Sequence, residues 1–488
     1  MKETLSILFV LALVLSFSLV ATTPVAAADR HVPGTYLTIQ AAINAANPGD
    51  TIVVAAGHVA EENLIITTDG LTLTTDASDP ATIRYQVATT SSVVDIRGEG
   101  VILENFIIER NNGGSGSQAI NVRRSNVVVR GTTITGSDNN HGPHAIPGIM
   151  LTDGDPGSYG MDIGGILLKN NHMSGDFAYG VYVTTLAAGS IEVSIEGNTL
   201  EGLTYDGSYW GLGTRPGWGV GIWDSSFVAF GGSLTVDIAG NTFDGHGVYM
   251  LPKDAATPVL DVTVNCNNFV GSGNWGVYNP TDVVVDATFN WWGDASGPAP
   301  HGTGNAVSAN VDFDPWLQAA LAEPLSVQTE TDTGQASFTP SHGGVASLAA
   351  VTPPSLPSVS FPHGMFSFQI CCLTPGQTVD LTVTLPAAVP VGTVWWKYDN
   401  GRWYSLPNLQ DNGNNIMVIR LTDGGVGDSD GLVNGFITDP GGPGNPMTVG
   451  IDGSPVCKAG VMAPWLALLA ALMGGLGLFV WRRGRAQI

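Results

Sequence analysis

Along residues 30 to 320, short runs of alternating aliphatic and polar residues are punctuated by one recurring phrase. A period of two marks each run as a strand with one buried face. The phrase is a small residue, Asn, a variable residue, an apolar residue, another residue and Gly. It reads Lys169-Asn170-Asn171-His172-Met173-Ser174-Gly175, then Glu196-Gly197-Asn198-Thr199-Leu200-Glu201-Gly202. It returns as Ala239-Gly240-Asn241-Thr242-Phe243-Asp244-Gly245 and as Asn265-Cys266-Asn267-Asn268-Phe269-Val270-Gly271. Weaker copies lie at 130–136, around Asn105 and at 289–293. The equivalent positions 105, 132, 171, 198, 241, 267 and 290 are 27, 39, 27, 43, 26 and 23 apart.

A second phrase follows the later copies: Tyr179-Gly180-Val181-Tyr182, Val220-Gly221-Ile222-Trp223, His246-Gly247-Val248-Tyr249 and Trp275-Gly276-Val277-Tyr278. Each repeat therefore holds at least two short strands, and neither buries its inner face alone, so the repeats must stack. A period in the twenties, rich in Val, Ile, Gly and Asn, predicts a parallel β-helix rather than propeller blades or leucine-rich repeats. Stacking places the Asn residues above one another as a structural amide ladder. Residues 38 to 46 read as a short amphipathic capping helix with Ile39, Ala42, Ile43 and Ala46 on its buried stripe. Asn47-Pro48-Gly49-Asp50 stops it, and Thr51 to Val54 opens the first strand.

Composition narrows the picture. There are 64 Gly, without a collagen period, and only 12% of residues are charged, which excludes a coiled coil or helical bundle. The formal net charge of -24 argues against a nucleic-acid partner and permits divalent cations or hydroxyl-rich ligands. Residues 1 to 28 read as a secretory signal peptide, with Lys2, an apolar run from Leu5 to Val20 and Ala26-Ala27-Ala28 before Asp29. Val461 to Val480 is uncharged, carries Trp465 and Trp481 near its ends and is followed by Arg482, Arg483 and Arg485. It reads as a transmembrane helix or a cleaved sorting segment with a basic tail over 481–488. The expected localisation is an exported protein at the cell surface, with the membrane as a partner.

Here the residues carry a resemblance. "TIQAAINAANPGDTIVVAAG" at 38–57, with the Asn repeats, resembles the start of right-handed parallel β-helix proteins of the pectate-lyase-like superfamily. "FNWWGDASGP" at 289–298 and "VDFDPWL" at 311–317 are similar to a closing motif of β-helix repeat proteins. The resemblance covers about residues 30 to 320 and implies the fold far more than an activity.

After a linker at 321–357, rich in Thr, Ser, Pro and Ala, alternation resumes at Val379, Leu381, Val383 and Leu385. Asp399-Asn400-Gly401 marks a hairpin, and residues 358–450 read as a small antiparallel β-sandwich. "LTDGGVGDSDGLVNGFITDPGGP", with the preceding Trp-Trp-Lys-Tyr strand, resembles a choice-of-anchor domain of bacterial surface proteins, which implies a presentation module. Asp423, Asp428, Asp430 and Asp439 are candidate Ca²⁺ ligands, with an Asx-turn loop as the alternative.

The two long intervals point to inserts. The first holds Asp138, His141, His144, Asp153, Asp155 and Asp162; the second holds Tyr205, Asp206, Tyr209, Trp210, Arg215 and Trp218. Rings beside carboxylates suit a sugar. Period two turns Tyr182, Trp223, Tyr249 and Tyr278 outward as a column. The expected ligand-binding set is therefore Tyr182, Tyr205, Tyr209, Trp210, Trp218, Trp223, Tyr249 and Tyr278, with a polysaccharide or another surface polymer as partner.

Catalytic signals are thin. Gly245-His246-Gly247 resembles the Gly-His-Gly of polygalacturonase-like hydrolases, but their paired-Asp and Arg-x-Lys motifs are missing. Asp153 and Asp155 are a candidate acid/base pair, and Arg215 or Lys253 a candidate lyase base. Cys266 occupies a slot filled elsewhere by Gly or Asn and reads as a packed thiol. The reading favoured from sequence is a surface-anchored β-helix protein that binds carbohydrate without catalysis. The alternatives are a polysaccharide lyase or glycoside hydrolase with its site between the 138–162 and 205–218 loops, and a structural adhesin or stalk.

Overall fold

The structure is a computed structural model that describes residues 27–85, 92–110, 118–137, 146–206, 214–224, 232–250, 259–271, 273–321, 324–353, 359–399, 401–449 and 455–457. The chain divides into two compact units, residues 1–314 and 315–488.

The first unit fits a right-handed parallel β-helix built from three parallel sheets. Among the described residues these hold 11, 9 and 10 strands. One coil shows the plan: Asp162–Lys169 in the first sheet, His172–Asp176 in the second, Tyr179–Thr185 in the third, then Ser190–Glu196 back in the first. Ser190–Glu196 alternates as its pattern predicts, burying Ile191, Val193 and Ile195. These stack in register on Leu234, Val236 and Ile238 of the next coil. Repetition of that contact makes the core a continuous aliphatic column.

The bend from first to second sheet needs two residues. The one in the left-handed region is Asn105, Gly131, Asn170, Gly197, Gly240, Cys266 or Phe289, with φ from 54 to 68°. The next is the ladder residue. Asn171, Asn198, Asn241, Asn267 and Asn290 are all buried. Each of the first four donates its backbone N–H to the side-chain oxygen of the next, at 2.7 to 2.9 Å. The Asn105 alignment is corrected by one residue: Ile107 pairs with Thr133, so Phe106 occupies the ladder slot. Cys266, in the left-handed slot, is disulfide-bonded rather than a packed thiol.

The capping helix is Ile39–Ala45, with Thr38 as N-cap and Ile39, Ala42 and Ile43 buried. Asp50 secures it. Its carboxylate accepts from Ala28 N at 2.9 Å, Asn47 N at 2.9 Å and Arg30 Nε at 2.8 Å. Backbone N–H groups of Asn47 and Ala28, with Arg30, hold this carboxyl below its ordinary range against the opposing effect of burial. A depressed folded pKa contributes stability above the unfolded carboxylate value of about 3.9 and loses it as pH falls through the folded value. Thermal melts of wild type and Asp50→Asn should therefore differ at neutral pH and converge in acid. Parallel melting curves at every pH would remove Asp50 from this role.

Inside the third sheet's edge, Phe243 stacks on Phe269 at 5.1 Å, and Phe269 on Trp292 at 4.8 Å. The Gly of the second phrase makes room for them. A Cβ on Gly219, Gly247 or Gly276 would collide with Phe243, Phe269 or Trp292 respectively.

The second unit is antiparallel. One sheet orders Leu325–Gln328, Gln335–Pro340, Thr378–Thr384 and Ile416–Thr422. The other orders Gly344–Val351, Met365–Cys371, Ile437–Val449, Val394–Asp399 and Arg402–Leu406. Phe338, Phe366, Phe368, Trp395, Leu381 and Ile419 fill the core. Residues 321–357, read from composition as a linker, hold strands of both sheets: Ala336 and Phe338 lie in this core.

Among the described residues no helix is long and apolar enough to cross a membrane. The described chain ends in antiparallel strand, with Pro455–Cys457 paired to Met447–Val449. Within the described residues these findings run against the expected transmembrane helix, membrane partner and anchored cell-surface localisation. The 461–480 run and nearly all of the signal-peptide segment lie outside the described residues.

Candidate functional site

The outer face of the third sheet gathers the rings. Its registers align Tyr179, Trp218 and His246 in one column, and Tyr182, Gly221, Tyr249 and Tyr278 in the next. The second phrase in its Trp218 copy is therefore Trp218-Gly219-Val220-Gly221, two residues earlier than the sequence alignment. Trp223 pairs with Thr184 and stands outside the column. Gly221 leaves a gap that its neighbours fill: a Cβ there would meet Tyr179 Cδ1 at 2.5 Å and Tyr182 Cδ2 at 3.0 Å.

The rings touch in series. Tyr179 and Tyr182 lie 5.0 Å apart. Trp218 stacks on His246 at 4.7 Å and on Tyr249 at 4.8 Å, and reaches Tyr278 at 6.4 Å. Tyr249 and Tyr278 are 5.5 Å apart, and Trp275 meets Tyr278 edge-on at 4.9 Å. Apart from the buried Tyr182, these rings are half-exposed. Tyr179 and Trp275 escaped the sequence reading, although both open a second phrase. A strict period of two turns only the last ring of each phrase outward.

The inserts lie on opposite edges of this sheet. Tyr205 pairs with Arg215 in an antiparallel hairpin on the turn that enters the third sheet. Gly154–Asp155 pairs with Ser158–Tyr159 on the turn that leaves it. Burial first, then the fields of Tyr249 and Tyr205, pushes the Tyr179 hydroxyl far above its ordinary range. Burial, Tyr278 and Tyr205 raise Tyr249 likewise. These shifts place Tyr205 within electrostatic reach of the strip. Burial lowers His246. Its Nδ1 lies 3.1 Å from Trp275 N and accepts from that N–H, so the neutral ring carries its proton on Nε2.

Among the described residues, the candidate carboxylates have other partners. Asp153 is buried and accepts from Leu186 N at 2.7 Å, Ala187 N at 2.9 Å and Gly160 N at 3.1 Å. Asp155 pairs with Arg124. Asp95 holds Arg97 and Arg123, each at 2.7 Å. His246 belongs to the ring strip. Lys253, Tyr209 and Trp210, and the side chains of Arg215 and Trp223, lie outside the described residues, as do 138–145 of the first insert.

The acidic loop of the second unit turns its oxygens to the backbone. Asp423 accepts from Gly376 N, Asn434 N and Gly435 N at 2.6, 3.2 and 3.0 Å. Asp428 accepts from Gly424 N at 2.8 Å and Thr438 N at 3.0 Å, and Asp430 from Leu432 N at 2.7 Å. Asp439 faces Lys397. Among the described residues no group of three His, Cys, Asp or Glu is placed to hold a metal ion.

No family model and no curated protein matches the chain. The resemblance of 358–444 to an anchor domain is corrected accordingly. The fold is similar to a pectin methylesterase from Aspergillus niger, at 17% identity over 49% of this chain and 85% of that one, with a TM-score of 0.29. It is similar to an alginate lyase from Paenibacillus sp., at 12% identity over 58% and 99%, with a TM-score of 0.30. It is similar to the Dettilon tailspike protein, at 14% identity over 86% and 94%, with a TM-score of 0.27. Likeness of this degree describes the coil and assigns no chemistry. The preference for a non-catalytic protein rests on missing motifs alone, an absence that decides nothing, and is withdrawn.

Proposed function

We propose that the β-helix unit is a carbohydrate-active module that seats a polysaccharide along the ring strip and cleaves it there, as a lyase or glycoside hydrolase. The observation that carries this reading is the row of outer rings on successive coils: the Tyr179–Tyr182 pair on one, then Trp218, Tyr249 and Tyr278 in contact across the next three. Such rings cover the apolar faces of sugar units, and coils about 4.8 Å apart repeat the contact along a chain. The two insert hairpins lie on the turns at either edge of the same sheet and so flank the strip. Tyr249, held protonated, and the Nε2–H of His246 supply donors to hydroxyl or leaving-group oxygens along it.

The test uses the full chain on a panel of neutral and acidic polysaccharides. Retardation in affinity gels is expected for at least one polymer. The same polymer should release unsaturated products if the route is elimination, or new reducing ends if it is hydrolysis. Retardation without either product would remove the catalytic half of the proposal, and no retardation on any polymer would remove all of it.

A further inference from the structure

The core of the second unit contains a lysine and an aspartate that a core does not ordinarily hold. Lys397 lies on Val394–Asp399 and Asp439 on Ile437–Val449, neighbouring antiparallel strands in which Lys397 stands opposite Gly441. Both side chains are 0% exposed, and Lys397 Nζ is 3.1 Å from Asp439 Oδ1. Around them stand Trp395, Phe366 and Phe368, all buried. Nζ also donates to the Gly427 carbonyl and lies 6.0 Å from the centre of the Tyr404 ring. Gly441 keeps the spot open: a Cβ there would lie 2.9 Å from Asp439 Oδ1 and collide with Trp395 Nε1.

Two full charges in an apolar core are a costly state, and their attraction offsets only part of the desolvation. Moving one proton from Nζ to the carboxyl removes both charges. Burial favours this: it raises Asp439 to about 6 against the pull of Lys397 and the Trp395 indole. The fold holds the two groups in contact, shielded from solvent. Groups fixed in this way behave as if at very high concentration. The absence of bulk water opposes the reverse reaction.

We propose that Lys397 and Asp439 condense to an intramolecular amide that cross-links the two strands. The Nζ lone pair attacks Asp439 Cγ and forms the N–C bond. The Trp395 indole N–H is placed beside the carboxyl to stabilise the developing oxyanion. One carboxyl oxygen then leaves as water, carrying the carboxyl proton and one proton from Nζ. From ammonium and carboxylate the balance is one amide and one water, with no oxidant or other reactant. The Gly427 carbonyl orients Nζ before the step. Tyr404 and the surrounding rings keep water from the product.

The experiment is mass spectrometry of the full chain after thiol reduction. The expected intact mass lies one water below the mass of the same polypeptide. Trypsin should fail to cut after Lys397, and the peptides bearing Lys397 and Asp439 should appear as one branched species. Lys397→Met should regain the missing water and yield the Asp439 peptide in linear form. Unmodified linear peptides from the wild type, with cleavage after Lys397, would overturn the proposal whatever the variant does.

Discussion

Asn241→Ala should destabilise the β-helix by about 3–5 kcal/mol, among the larger losses a single side chain can cause. Asn241 is 0% exposed. Its Oδ1 accepts from Asn198 N at 2.8 Å and from Asn198 Nδ2 at 2.9 Å. Its Nδ2 donates to Ile195 O at 2.7 Å and to Asn267 Oδ1 at 3.0 Å. Alanine removes all of these and leaves the backbone N–H of Asn198 and one N–H of its side chain buried without an acceptor. Each orphan costs roughly 1–3 kcal/mol. Serine or threonine would not repair the loss, because neither reaches coils above and below at once. Urea unfolding monitored on the β-helix would read the loss as a lower midpoint at unchanged slope. A loss below about 1 kcal/mol would mean that the ladder is decoration on a stack held by its aliphatic column alone.

The ladder was legible because an amide recurring inside an apolar pattern has one economical explanation. Its register was less so. Asn tolerates the left-handed region as well as the ladder slot. Asn105 fills the first role and Asn171 the second, one residue apart in the coil, and the letters do not distinguish them. The same degeneracy displaced the ring column. Gly219 faces inward because the Phe243 ring needs its space, whereas Gly221 faces outward beneath Tyr179 and Tyr182. From sequence the two glycines are equivalent, so the alternation assigns Trp223 to the column and leaves Trp218 to the insert. The β-helix itself survived because seven repeats outvote one misaligned copy.

Elsewhere, composition misled for physical reasons. A stretch rich in Ser, Thr and Ala at 335–351 forms strands once a partner sheet completes it; strand formation depends on neighbours more than on propensity. The aspartates at 423–430 cluster in sequence, yet backbone N–H groups take up their oxygens. A turn and a cation site draw on the same residue types. Lys397 gave no signal, because one lysine in an alternating strand reads as an outward residue. Only the register shows that Trp395 and Lys397 share the inward face.

Trp218→Ala should weaken polysaccharide binding at least ~30-fold, about 2 kcal/mol, the scale of an aromatic anchor at the centre of an interface. Trp218 joins the two ring columns: it stacks on His246 and Tyr249 and reaches Tyr278. Removing it breaks the strip in the middle, and Gly221 beside it offers no side chain to close the gap. Stability should change far less than for Asn241→Ala, because the ring is half-exposed and its strand pairs by backbone. Trp403→Ala provides the control. That ring contacts Phe361 and Tyr398 in the second unit, so its loss should leave binding unchanged. Phenylalanine at 218 should recover part of the affinity by restoring a stacking face. Affinity electrophoresis on the polymer that the wild type binds best would measure all three. Wild-type affinity in Trp218→Ala, or an equal loss in Trp403→Ala, would place the glycan elsewhere on the molecule.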